Sequence, residues 1–586
     1  MTSEGDTENK TEEQKEETPQ KGLISRMFAL IESRNPKLAL KLRDLRIQAF
    51  ILFILLSIFY LNLIIWDFYF SADSMWYGIL LKNWFETGEM DNFDLFHPAH
   101  PLIMPIAIMF THLMIPLIGK NYLLSYAIMD AILGGLAVSL FYLVCNKFIN
   151  NRKYSLICSL ALAFSFTFWE NCEMAEDRVL GYIFLILYIP VMFSFVGEIK
   201  PFKRLESLKT WQMGLFTGIF MGLTIAVHFS LVLLFLFTLI LGWRYYGLKF
   251  FISQKFIWYI IGTAIVCGIV FGLVAWALGV SNLSEFMGMF TGYHTGNRGS
   301  QYFALSDPGS IVWTAQIRGM VGGVFTAFFM FVSDNPIYNA AIIGICAVLL
   351  LLMAFIMINA RKNKVVSSFY ILIIIWFAHF IFFAPDDRNS WAFLLVPVWL
   401  SVGISLDIVS KEGASLMLLK RRLPDKIAKA ITPIVSILIV AMFINNTIVF
   451  ADAHFNHDDR EKFVQFVDEN IQDDDSIIIM DTTLGVFFGY FSDRETIAFV
   501  SVVTDPEVSL YINESFNSSQ SIYLGEFFLL DSYVQVGSGR HEHTYEARLE
   551  FHREYVERFN SMYIIERAYE YEWSDIYIIT ALNETG

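Results

Sequence analysis

The run Ala49–Trp66, AFILFILLSIFYLNLIIW, leads directly into Asp67–Pro105, DFYFSADSMWYGILLKNWFETGEMDNFDLFHPAHPLIMP. The first stretch is free of charge and close to the ~20 residues that an α-helix needs to cross hydrocarbon. The second carries Asp67, Asp73, Glu86, Glu89, Asp91 and Asp94 against a single cation, Lys82. A membrane span followed by an acidic, aromatic-rich loop is the reading from which the rest of the chain is organised. Forty-eight mostly polar residues precede the run, so it reads as a retained span and not a cleaved signal.

Apolar runs of spanning length recur at Leu123–Cys145, Phe256–Leu278, Ile337–Ile358 and Ile431–Phe450. The chain is 55% hydrophobic, 17% charged and 16% aromatic over 586 residues, with mean hydropathy +0.50, more apolar than soluble proteins of this size. Short segments at 146–153, 198–210, 244–255, 359–365 and 410–430 hold 19 Lys and Arg but four acids. Placing them inside gives about eleven spans, near 48–66, 122–145, 154–170, 179–197, 211–227, 229–243, 256–279, 337–358, 366–384, 391–409 and 431–450. The N-terminus is then cytoplasmic and everything after the last span extracytoplasmic. Pro101–Ile118 is apolar enough to span, but counting it would turn Lys147, Arg152 and Lys153 outward. With Pro101, Pro105 and Pro116 against a regular helix, it reads as a re-entrant or interfacial helix within the outer loop 67–121. The same parity puts Arg318–Val332 at the outer interface.

The ends differ in chemistry. Residues 1–20 lack large apolar side chains and read as disordered, and 21–47 as a basic amphipathic helix on the inner membrane face. From Ala451 onward there are 27 acidic and 8 basic residues, which argues against nucleic acid as a partner. There the pattern is α/β: a helix at Arg460–Asn470, strands at Ser476–Met480, Thr496–Val503, Ser521–Leu524, Met562–Ile565 and Asp575–Ala581, and a helix at Tyr545–Asn560. The expected fold is an α-helical polytopic membrane protein, transmembrane over 48–450, with a soluble C-terminal α/β domain at 451–586. Cys145, Cys158, Cys172, Cys267 and Cys346, four of them in apolar runs, give neither a disulfide framework nor metal-ligand spacing.

A carboxylate near hydrocarbon needs water, a partner or a task. Asp73, just past the first span among aromatic residues, is suited to act as a general base at the mouth of a membrane-embedded cavity. Glu86, Glu89, Asp91 and Asp94 read as solvated loop surface. His97 and His100 are a metal-ligand type without a fixed third ligand, so no metal is assigned, and a divalent ion is left open. A second acidic cluster, ENCEMAEDR (Glu170–Arg178), puts Glu173, Glu176 and Asp177 in the compartment of Asp73, with Glu173 and Glu176 a helical turn apart and able to share a face. Helix capping and catalysis are both open for it. His228, alone between two apolar runs, reads as a satisfied structural group. Gly292–Tyr302, GYHTGNRGSQY, offers Arg298 in a glycine-rich loop. In PDDRNSW (Pro385–Trp391), Arg388 has the paired donors that suit a phosphate, or else a local salt bridge to Asp386 or Asp387.

Taken in order, Asp73 in SADSMWY, His97-Pro98 to Pro101 in HPAHPL, Trp169 with Ala175-Glu176, Gly222-Leu223 with His228, and Asp387-Arg388 with Pro397 resemble the motifs of GT-C membrane glycosyltransferases, over roughly residues 48–410. The branch is the multispanning one that includes bacterial membrane proteins and a eukaryotic protein O-mannosyltransferase. The resemblance implies a polyprenyl- or dolichyl-phosphate sugar entering from the bilayer and a protein, lipid or glycan acceptor outside. It makes Asp73 the base, with inversion at the anomeric carbon. Arg388, with Arg298 and Lys82, would hold the leaving phosphate without a metal. Glu176, Asp177, His97, His100 and His228 would shape the site. The chain departs from the pattern at Trp76, where the family often has Glu, and in HPAHP, which lacks the family's glycine. The rival class is a lipid-linked substrate transporter, whose mark would be ionisable groups near helix centres and repeated halves. No repeat is visible.

Overall fold

The computed structural model describes residues 44–66, 72–197, 207–286, 313–330, 336–381, 388–411, 417–418, 421–422, 425–456, 459–471, 476–480, 490–492, 495–498, 506–517, 520–525, 556–570 and 576–581, and positions 205, 488, 502 and 553. The expectations for 1–20 and most of 21–47, and those for Arg298, Asp386 and Asp387, lie outside the described residues.

The helices leading to the site are α1 (Leu45–Trp66), α2 (Ala72–Glu86), α3 (Ile103–Ile118), α4 (Tyr122–Phe148), α5 (Arg152–Phe164), α6 (Phe166–Glu173), α7 (Val179–Phe195) and α8 (Thr210–Val227). A 3-10 turn, Phe229–Val232, joins α8 to α9 (Leu233–Tyr246), and α10 (Gln254–Ala277), α11 (Trp313–Phe328), α12 (Pro336–Asn359), α13 (Lys364–Phe380), α14 (Leu395–Lys411) and α15 (Asp425–Asn456) follow. Among the described residues, eight helices are long and apolar enough to cross a membrane, which makes this a multi-pass membrane protein. Counted as one broken span, the pair α5–α6, bent by 62°, makes a ninth, and α7 and α13 are apolar helices of 17 residues.

Polar residues at the span ends start these helices. Asn121 caps α4 by accepting from Leu124 N (3.0 Å), Asn151 caps α5, Ser253 caps α10 and Asn363 caps α13, each supplying an oxygen to an otherwise unpaired amide of the first turn. Lateral packing follows from residue size. Gly214, Gly218 and Gly222 form a stripe on α8, and a Cβ at Gly218 would run into the Tyr259 carbonyl of α10. The stripe lets two backbones touch, as small residues do between membrane helices. The far face of α10 shows Ile265, Ile269, Leu273 and Trp276 outward, as a lipid-facing side should. In contrast, Trp391–Lys411 is buried over most of its length.

The span expected at 154–170 is broken. At Ser165 the backbone turns extended (φ −63°, ψ 130°), freeing helix carbonyls. Buried Asn446 of α15 donates to Phe164 O (2.8 Å) and to Phe328 O of α11 (2.9 Å), and Trp399 Nε1 donates to Ser165 Oγ (2.9 Å). The break is thus satisfied in a way lipid could not manage.

In the C-terminal region, helix α16 (Asp459–Asn470) precedes β1 (Ile477–Met480) and β2 (Glu495–Ala498). Helix α17 (Pro506–Asn517) precedes β3 (Ile522–Gly525), β4 (Tyr563–Tyr569) and β5 (Ile576–Ala581). The sheet order is β2-β1-β3-β5-β4, with β1 parallel to β2 and β3, and β5 antiparallel to β3 and β4. The expected helix Tyr545–Asn560 is described only in part, and residues 556–562 are helical. This region shares one apolar core with the first loop and the start of α4, where Met75, Leu80, Leu81, Ile103 and Leu123 join Phe463, Val467, Ile479 and Phe488. Tyr490 marks the contact. Its ring lies against Gly78, its hydroxyl accepts from Leu123 N (3.3 Å) and its carbonyl accepts from Lys82 Nζ (3.3 Å). Pro101–Ile118 appears as α3, with Ala107 and Thr111 buried and Met109, Leu113 and Leu117 exposed. No two cysteines are joined.

Candidate active site

Three chain breaks converge. The segment His97–His100 lies before α3, the loop Met174–Arg178 lies between α6 and α7, and His228 ends α8 in an extended conformation (φ −155°, ψ 119°). The last of these ends the helix at Val227, so that Phe229 N is available to donate to Ala99 O at 2.7 Å. That backbone bond joins the HPAHP segment to the α8 break.

Asp177 is the centre of the cluster. Its Oδ2 stands 3.1 Å from His100 Nε2 and 3.9 Å from His228 Nε2, and Arg178 Nη1 is 3.2 Å from its Oδ1. Arg178 Nη1 also donates to Glu176 Oε2 at 2.9 Å. Both carboxylates are buried, so the guanidinium supplies the pairing that burial demands. The His97 ring stacks on His100 with centroids 4.3 Å apart, and Ser230 Oγ lies 2.8 Å from His228 Nδ1. Burial would raise the Asp177 pKa, but Arg178 first, and then the histidines, pull it below the ordinary carboxylate range. Burial, then neighbouring His100, pushes His97 down to about 3. Burial also pushes His228 down to about 3, against the pull of Asp177. At neutral pH the cluster therefore holds an ionised carboxylate against neutral His97 and His228.

Asp73 lies in the first turn of α2, and its side chain is not among those described. One turn later in the same helix, Tyr77 Oη reaches His100 Nε2 at 3.4 Å. Helix α2 thus runs from the position of Asp73 to the edge of the cluster. Lys82, further along, donates to the Tyr490 carbonyl.

Arg388 is 218 positions from its partner. Its Nε donates to Glu170 Oε2 at 2.7 Å and its Nη2 to Glu170 Oε1, with the guanidinium over the Phe166 ring at 5.5 Å. Arg388 thus makes a forked pair with a buried glutamate; Asp386 and Asp387, the alternative partners in its own loop, lie outside the described residues. The guanidinium carries five N–H donors, and its side chain is 31% exposed. Glu173 and Glu176 do not share a helical face: α6 ends at Glu173, which accepts from Trp169 Nε1, and Glu176 lies in the loop beyond. Of the first-loop acids, Glu86 accepts from Lys120 and Tyr122, and Asp91 caps the turn Asn92–Leu95. Sequence reasoning passed over Glu170, Tyr77 and Asp130. The signal for Asp130 was available, since it is the lone carboxylate in the run Leu123–Cys145. Among the described residues, no group of three or more His, Cys, Asp or Glu is disposed to hold a metal ion.

No protein-family model and no curated protein matches the chain. Solved structures do. ArnT from Cupriavidus metallidurans bound to undecaprenyl phosphate is similar with TM-score 0.51 at 11% identity, over 92% of this chain and 98% of ArnT. The oligosaccharyltransferase AglB from Archaeoglobus fulgidus, in complex with an inhibitory peptide and a dolichol-phosphate, is similar with TM-score 0.52 at 14% identity, over 92% and 74%. The Archaeoglobus fulgidus oligosaccharyltransferase tethered to an acceptor peptide gives 0.52 at 13% identity, over 90% and 74%. The chain has the GT-C fold.

Proposed function

We propose that this GT-C-fold protein is a membrane glycosyltransferase that moves a sugar from a polyprenyl- or dolichyl-phosphate carrier to a hydroxyl of an extracytoplasmic protein, lipid or glycan. The observation that carries the reading is the fold, shared over nine-tenths of the chain with ArnT bound to undecaprenyl phosphate and with AglB bound to a dolichol-phosphate. The titratable cluster at three chain breaks beside α2 supports it. His97, His100, Asp177, Arg178 and His228 lie at helix ends and in loops, where a transporter would be expected to carry such groups near helix centres.

In this mechanism Asp73 takes the proton of the acceptor hydroxyl as that oxygen attacks the anomeric carbon. The bond to phosphate breaks with inversion and the lipid phosphate leaves. Arg388, together with Arg298, meets the charge of the departing phosphate. Glu170 orients the Arg388 guanidinium in advance, a preorganised arrangement of the kind that stabilises developing charge. Asp177 holds His100 and His228 beside α2, with His97 stacked on His100 and Glu176 fixing Arg178. The N-terminus faces the cytoplasm, and the acidic region 451–586 lies outside, over the first loop. The membrane is the cell membrane in a prokaryote and the endoplasmic reticulum in a eukaryote.

The test is transfer from radiolabelled polyprenyl-phosphate sugars by full-length protein in native membranes, with protein level followed by immunoblot. Asp73→Asn keeps size and should lower transfer by about 10²–10⁴-fold, while Asp94→Asn stays active. Near-normal transfer by Asp73→Asn at normal protein level would overturn the assignment of the base.

A further inference from the structure

Asp130 is a buried carboxyl group that the proposed reaction does not use. It lies within α4, 1% exposed, and its Oδ2 accepts from the backbone N–H of Glu176 at 2.8 Å. One turn earlier on the same helix, fully buried Tyr126 donates its hydroxyl to the carbonyl of the same Glu176 at 3.4 Å. Residues four apart on a helix share a face, so two side chains of α4 hold both polar ends of one residue in the facing loop. The loop needs this. Helix α6 has ended, Met174 is extended and α7 begins only at Val179; Met174 N still bonds to Glu170 O and Arg178 O accepts from Tyr182 N, but the peptide groups between them are without a helical ladder and must be satisfied otherwise when buried.

We propose that Asp130 is a positioning residue. With Tyr126 it clamps the Glu176 backbone, and so sets the next residue, Asp177, against His100 and His228, and Arg178 between the two carboxylates. The role depends on reading this cluster as the wall of the transfer site. The clamp itself does not.

Two measurements on the purified full-length protein separate these. Hydrogen exchange of peptides spanning Met174–Arg178 should quicken by up to about tenfold in Asp130→Leu, the loss expected for one hydrogen bond. Asp130→Asn keeps an acceptor oxygen and should stay near wild type. In the transfer assay Asp130→Leu should lose about 10²-fold in kcat, as misplaced site groups do, with the donor KM nearly unchanged and Asp130→Asn largely restored. Unchanged exchange in Asp130→Leu would overturn the clamp, as would an Asn variant that exchanges as fast as the Leu variant. Faster exchange with wild-type kcat would overturn the positioning role. If wild-type protein transfers nothing, the glycosyltransferase reading fails while the exchange result still decides the clamp. Should Asp130→Leu not fold, Tyr126→Phe, which loses only the carbonyl contact, carries the same test.

Discussion

Two acidic segments of this chain look alike in sequence and differ in every physical respect once folded. In Glu86–Asp94 the acids sit at the surface or close to it. Glu86 meets Lys120, whose side chain is 73% exposed, and Asp91 caps a single turn. In Glu170–Arg178 the four carboxylates of Glu170, Glu173, Glu176 and Asp177 are all buried, and each has its own named partner: Arg388, Trp169, Arg178 and His100. A surface acid owes little to its neighbours because water solvates it. A buried acid is tolerable only with its partner in place, so the second segment is a rigid arrangement and the first a replaceable one.

That contrast makes graded predictions. The largest effect belongs to the Glu170–Arg388 pair. Arg388→Ala strands a buried carboxylate and should cost about 3–5 kcal/mol of stability, toward the lower end because the guanidinium is partly exposed. Arg388→Lys should recover only part, since an ammonium lacks the planar fork. The double variant Glu170→Leu/Arg388→Met should be more stable than either single loss, as thermal unfolding in detergent would show. Equal stability of Arg388→Ala and wild type would break the distinction between the segments.

The next effect is set by pH. His97 and His228 take up protons near 6.5 when unfolded but only near 3 when folded. Between those values the unfolded chain binds more protons, so stability should fall as pH drops from about 6.5 toward about 3. Depression of Asp177 extends the loss to still lower pH, as its carboxylate is neutralised beside Arg178 and His100. Unfolding of wild type and of His97→Gln/His228→Gln from pH 7 to 4.5 checks this. The double variant should show the flatter profile, and parallel profiles would refute it.

A more local effect is expected at Tyr490, where the C-terminal region meets α2. Tyr490→Ala removes a ring packed on Gly78 and a hydroxyl facing Leu123 N, and should destabilise by about 3 kcal/mol, with Tyr490→Phe costing about 1. Limited proteolysis of the region after 456 reads out the difference. The smallest effect closes the comparison: Glu89→Gln, in the exposed segment, should stay within about 0.5 kcal/mol of wild type. A larger change would mean that the first acidic segment depends on its partners just as the second does.

Much of the architecture was legible before folding. Spanning length and hydropathy located the membrane helices, and the proline-laden Pro101–Ile118 was set apart from the regular spans. Alternating apolar residues put strands close to where β1, β3, β4 and β5 lie. The segments that meet at Asp177 were all singled out, because histidine and acid are conspicuous in apolar surroundings. These signals are local, set by a period of 3.6 or 2 residues or by a transfer free energy per segment.

What folding alone decided is which of these groups meet. Nothing near Arg388 in the chain points to Glu170, 218 positions away. The break at Ser165 depends on Asn446 and Trp399 arriving from other helices, and Asp130 has a role only because the Glu176 peptide lies opposite it. The physical reason is the same in each case. Burying a charge or an unpaired backbone group is costly, and only a partner delivered by tertiary packing offsets that cost, so the composition of a segment states the need while the fold supplies the answer.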